Sequence, residues 1–154
     1  MSSLDDVYRK FAEASEAAQL LETELGTILL EIHAVESDVF SGERREEAAE
    51  ILASINKSTL GQVLKTIGQK TPALEHAADL FAKALAERNR LSHSFFRQHN
   101  FRRNTPDGRA VMLTDLESIH RTLLEAYKVA LAVSGIDLDS VRMPALPTRH
   151  LKLD

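Results

Sequence analysis

The stretch LDDVYRKFAEASEAAQLLETELGTILLEIHAV, running from Leu4 to Val35, decides the fold. Its apolar residues fall at Leu4, Val7, Phe11, Ala14, Ala18, Leu21, Leu25, Ile28, Ile32 and Val35, in alternating steps of three and four. That rhythm lays one apolar stripe along a long α-helix, whereas a half-buried strand would alternate in twos. Ser3 supplies an N-capping hydroxyl, and Ser41-Gly42 ends the segment. A repeat of about 3.5 residues also predicts packing at a shallow angle on a neighbour, within the chain or in a second copy.

Working outward, a second helix is expected from Glu43 to Ile55, with Ala48, Ile51, Leu52 and Ile55 inside. Ser58 is the expected cap of a short connecting helix carrying Leu60, Val63, Leu64 and Ile67, broken by Gly68 to Thr71. Thr71-Pro72 then pairs a capping hydroxyl with proline at the first helical position, starting a helix through Leu74, Ala78, Phe81 and Leu85, past His93 toward Gln98. Residues 99–113 lose periodicity around Asn104-Thr105-Pro106-Asp107-Gly108 and read as a basic loop. Thr114 to Glu117 has the spacing of a capping box for a last helix that Gly135 ends. The expectation is an all-α, up-and-down bundle of four to five helices over residues 1–135, followed by an extended tail over 136–154 that holds Pro144 and Pro147.

The composition fits. The 154 residues suffice for one buried core, and aromatic residues are scarce. With no cysteine, disulfides, zinc fingers and thiol nucleophiles are excluded. Asp5, Asp6, Arg9 and Lys10 occupy the place of an apolar signal core, and no apolar run nears the ~20 residues of a membrane span. A cytoplasmic protein without membrane contact is expected.

The formal charge of −4 conceals a basic concentration. Six arginines, Arg88, Arg90, Arg97, Arg102, Arg103 and Arg109, lie between positions 88 and 109, opposed only by Asp107. Arg88-Asn89-Arg90-Leu91-Ser92-His93 adds an amide and a titratable imidazole to the guanidinium groups. At about 100° per residue Asn89 and His93 stack on one face, while Arg88 and His93 stand about 140° apart. Two copies of the helix meeting in one cleft would assemble Arg and His more easily than one copy does.

Arg88, a polar Asn89, three further residues and His93 near a helix end resemble the motif of the HEPN superfamily. The following His93-Ser94-Phe95-Phe96-Arg97-Gln98-His99 and the upstream Thr59-Leu60-Gly61 are similar to bacterial members of that group. The resemblance extends over residues 45–135. It implies a homodimeric, metal-independent endoribonuclease in which the ribose 2′-hydroxyl attacks the phosphate and leaves a 2′,3′-cyclic phosphate. His93 would move the protons, Arg88 would stabilise the phosphorane, and Asn89 would orient the imidazole or the phosphate. Arg90, Arg97, Arg102, Arg103 and Arg109 would hold the RNA backbone, with His99 as a peripheral donor and Phe101 as a stacking platform. Many members resemble halves of toxin–antitoxin pairs, which implies a cognate regulatory protein. No cofactor or metal is called for.

Plainer readings exist for the same residues. Cations near a helix C-terminus complement its dipole, and Phe95 and Phe96 fit core and contact roles. Glu117 and His120 have the Glu-x-x-His spacing of di-iron bundles, but that architecture needs the motif twice and none of His33, His76, His93 or His99 has a Glu three residues before it. The alternative to the nuclease is a non-catalytic, helical, dimeric module that binds protein or nucleic acid.

Overall fold

The computed structural model describes residues 1–37, 45–70 and 72–135, and these residues are all-helical, without strands. The α-helices are α1 (Leu4–Ser37), α2 (Arg45–Lys57), α3 (Leu60–Lys70), α4 (Ala78–His93), α5 (Phe95–His99) and α6 (Pro106–Val133). Two 3₁₀ segments, Pro72–Ala77 and Asn100–Asn104, lead into α4 and α6. Thr71, the Ser41-Gly42 stop and the tail from 136 lie outside the described residues.

The first helix starts where its sequence says. Ser3 Oγ accepts from the Asp6 backbone N–H at 3.0 Å, and the Asp6 carboxylate accepts from the Ser3 N–H at 2.9 Å, a reciprocal cap. The cap of α3 differs from expectation by one residue. Thr59 and Gln62 make the reciprocal pair, with the Thr59 N–H donating to Gln62 Oε1 at 2.8 Å, while Ser58 Oγ donates back to the Ser54 carbonyl. Gly68 does not end α3, which continues to Lys70.

The stripe of α1 is the floor of the core. Val7, Ala14, Ala18, Leu21, Leu25 and Ile28 are all buried, against Met112, Leu116, Ile119, Leu123, Ala126 and Ala130 of α6. Each large apolar side chain removed from water in this way contributes about 1.5–3 kcal/mol. Three polar contacts fix the direction of the pair. Arg109 Nε donates to the Ser2 carbonyl, Lys10 meets His120, and Ser134 Oγ donates to Glu24, so residue numbers rise together and α1 and α6 run parallel. The next contacts run the other way: Arg88 bonds Glu22 while Phe95 and Phe96 stack on Phe11 and Tyr8, so α4 and α5 are antiparallel to α1.

The main correction concerns residues 94–113, where the sequence predicts a helix continuing toward Gln98 and then a basic loop over residues 99–113. Helix α4 stops at His93, where Ser94 takes φ −142° and the chain turns so that Phe95 enters the core. After α5, Asn100 adopts φ 48°, a conformation that asparagine tolerates better than most residues. The 3₁₀ turn then leads to Thr105, the true N-cap of α6, whose hydroxyl accepts from the Gly108 N–H at 3.1 Å with Pro106 at the first position. Thr114 to Glu117 therefore lies inside α6, and Thr114 Oγ1 donates to the Ala110 carbonyl. Two capping signals compete, and the Thr-Pro-Asp-Gly start at Thr105, nine residues before Thr114, is the one the chain uses.

Gly108 is fixed by its surroundings, because a Cβ there would collide with the backbone of Arg102, whereas a Cβ at Gly68 meets nothing within 4 Å. Gly108→Ala should therefore lower the unfolding free energy by about 1–3 kcal/mol. Gly68→Ala in exposed helix should raise it by about 0.5–1 kcal/mol. Urea denaturation of the two variants checks both signs; equal effects would contradict the close approach of the 3₁₀ turn to α6.

Candidate nucleic-acid interface at the end of α4

Arg88, Asn89 and His93 occupy the last two turns of α4. Arg88 is half-buried and faces α1, where its Nε donates to Glu22, and its Nη1 donates to Asn89 Oδ1 at 3.0 Å. His93 is exposed, and its imidazole makes no hydrogen bond or ion pair among the described residues. Its backbone carbonyl accepts from Arg97 Nη2 at 3.4 Å. The structure thus joins Arg88 to Asn89, and His93 stands in solvent about 140° around the helix axis from Arg88, bonded to neither side chain.

Arg90 is not available to a phosphate. Its two Nη atoms donate to the two oxygens of Asp115 at 2.7 Å each, and Nη2 also donates to Glu87 at 2.7 Å. A bidentate guanidinium–carboxylate pair of this kind is among the stronger polar contacts a protein makes. The Asp115 hydrogen bonds, followed by the pull of Glu87, hold Arg90 above its ordinary value against the opposing effect of burial.

His99 is likewise an interior residue, 5% exposed, with its ring 4.5 Å from that of Phe95. Its Nε2 lies 2.7 Å from Asp115 Oδ2, and Arg102 Nη1 lies 3.1 Å from its Nδ1. A guanidinium can only donate, so Nδ1 accepts and Nε2 carries the proton given to Asp115. The chain Glu87–Arg90–Asp115–His99–Arg102 ties α4, α5 and the 3₁₀ turn to α6. His99, expected as a peripheral RNA donor, has both nitrogens engaged in this network.

The other cations divide in two. Arg109 is structural, with Nε on the Ser2 carbonyl at 2.7 Å and Nη1 on the Arg103 carbonyl at 3.0 Å. Arg97, Arg102 and Arg103 are exposed, and Phe101 beside them is 75% exposed. Of the sequence-predicted interface, His93 with its unpaired imidazole, Asn89, Arg97, Arg102, Arg103 and Phe101 are the residues that remain exposed. Glu22, Glu87 and Asp115 are the residues sequence reasoning missed. Glu87 and Arg90 carry a legible three-residue spacing, whereas Glu22 is 66 positions from Arg88 and leaves no local signal.

His120 belongs to a separate polar contact. Its Nδ1 lies 3.0 Å from Lys10 Nζ, which also donates to Glu13 at 3.0 Å. Among the described residues no group of three His, Asp or Glu side chains is placed to hold a metal ion.

Both polar centres should make the fold sensitive to acid. Burial first, and then the Lys10 ammonium, hold His120 below its ordinary value. The unfolded chain therefore takes up the proton first, near pH 6.5, and stability falls as pH drops through that range. The hydrogen bond from Arg90 keeps the Asp115 carboxyl below the usual range against the opposing effect of burial, so its contribution is complete above about pH 4 and lost below. Urea midpoints should be lower at pH 5.5 than at pH 7.5, and His120→Gln should remove most of that step. Asp115→Asn should keep the step but cost about 1.5–3 kcal/mol at pH 7. A midpoint that does not move between pH 7.5 and 5.5 would contradict the role given to His120.

Comparison with protein-family models, with curated proteins and with solved structures finds no match to this chain.

Proposed function

We propose that the protein is a metal-independent endoribonuclease of HEPN type that acts as a homodimer, with Arg88, Asn89 and His93 of each copy contributing to a shared cleft. The observation that carries this reading is the contrast between two histidines only six positions apart. His99 is enclosed and fully hydrogen-bonded, whereas His93 is exposed with its imidazole unpaired, on the same helix as a guanidinium oriented by an amide. An imidazole can take the 2′-hydroxyl proton and return one to the leaving oxygen, while a guanidinium stabilises charge on the phosphorane. Arg97, Arg102, Arg103 and Phe101 would then guide the strand, the cations by salt-dependent contacts and the ring by stacking. The dimer follows from the angle between Arg88 and His93: a second copy brings its imidazole to the guanidinium that the first cannot reach with its own.

The non-catalytic helical module draws on a specific observation too, since Arg88 uses its Nε to bridge α4 and α1 through Glu22. One experiment separates the readings. The nuclease should cut mixed RNA in EDTA and leave 2′,3′-cyclic ends; His93→Ala and Arg88→Ala should each reduce cutting at least about 100-fold, the usual scale for loss of an acid–base or charge-stabilising group. His93→Ala, at an exposed site, should unfold within about 0.5 kcal/mol of wild type. Cutting that survives both substitutions, or no cutting by the wild-type dimer, overturns the assignment.

A further inference from the structure

We propose that the cavity between α1, the end of α2 and the start of α3 is a guanine-recognition pocket that sets the base preference of the site on α4. The choice of a nucleobase as ligand rests on the nuclease reading; the donor–acceptor argument does not. The cavity holds about 300 Å³, at the lower end of small-molecule sites. Its apolar walls are Leu30, Ile55, Leu60 and Val63, suited to the faces of a flat ring.

The polar groups in its wall are all acceptors. Thr23, Thr27 and Ser58 donate their hydroxyl protons to the carbonyls of Gln19, Thr23 and Ser54, at 2.9, 3.0 and 2.9 Å, and present oxygen lone pairs. The fourth group, Glu22, is a carboxylate. A ligand must therefore bring donors. Guanine is the standard base with two adjacent N–H donors on one edge, N1–H and the 2-amino group, which match the two oxygens of a carboxylate. Adenine and cytosine set one amino group beside an acceptor nitrogen, and uracil flanks one N–H with two carbonyls. A neutral ligand also suits the charge, because Arg88 already balances Glu22.

Two further features connect the pocket to the candidate site. Glu22 forms part of its wall and holds Arg88, so the guanidinium proposed to meet the scissile phosphate sits next to the base seat. Gly26 lies inside α1, where glycine is unfavourable beside alanine, and it opens the space: a Cβ there would sit 3.4 Å from Ile55 Cγ2, an ordinary contact. A larger side chain at that position fits the helix and fills the pocket.

The test is calorimetric titration of the full chain with guanosine, adenosine, cytidine and uridine 5′-monophosphates, beside cleavage of RNAs with and without guanine. Guanosine monophosphate should bind saturably and about ten-fold or more tighter than the others. Gly26→Leu should abolish that binding without lowering the melting temperature. Thr27→Val, which keeps the shape and removes an acceptor, and Glu22→Gln, which replaces one acceptor by a donor, should each reduce the preference. Equal binding of the four nucleotides, no saturation, or a full preference in both Thr27→Val and Glu22→Gln overturns the pocket. Guanosine monophosphate preference without RNA cutting upholds the pocket and rejects the nuclease; cutting without base preference or nucleotide binding rejects the pocket alone.

Discussion

Asp115 accepts from a guanidinium and an imidazole at once, and the arrangement of the basic segment depends on that carboxylate. It stands in the third turn of α6 and draws α4, α5 and the 3₁₀ turn onto that helix. Without it, Arg90 and His99 would be left enclosed with unmatched polar groups, which costs more than the contact itself contributes. With it, no enclosed side-chain nitrogen or oxygen lacks a partner among the described residues. The carboxylate holds Arg90 directly and Arg102 through His99, while Arg97 and Arg103 lie outside that network.

How much of this was legible varied with the range of the interaction. The stripe of α1 is readable because helical burial is a local pattern, and its cap is readable from Ser3, to which the structure adds Asp6. Gly135 ends the last helix as its sequence position suggests, at φ 78°. The segment from Ser94 to Gly108 was misread because apolar spacing fades there, although Thr105, Pro106 and Gly108 carry the signal of a helix start. The rival Thr114–Glu117 pattern won by matching a longer motif, and only the approach of Arg102 to Gly108 shows why the earlier start prevails.

The candidate site was legible in its residue types and illegible in its pairings. That Arg88 and His93 diverge on one helix was calculable from the helical angle. That Glu22 would claim Arg88, or that Asp115 would claim Arg90 and His99, depends on helices brought together across 66, 25 and 16 positions, and no spacing rule spans those separations. The basic character of the segment is consequently smaller at the surface than in the sequence: six arginines become three exposed ones beside Phe101.

The parallel pairing of α1 and α6 has a consequence for synthesis. The two helices that share most of the core are the first and the last of the described elements to leave the ribosome, so at roughly 5–20 residues per second the stripe of α1 waits on the order of ten seconds for its partner. During that interval Leu21, Leu25 and Ile28 have only α2, α3 and α4 to cover them. A nascent chain of this design is most exposed to aggregation and to chaperone capture just before its final helix emerges.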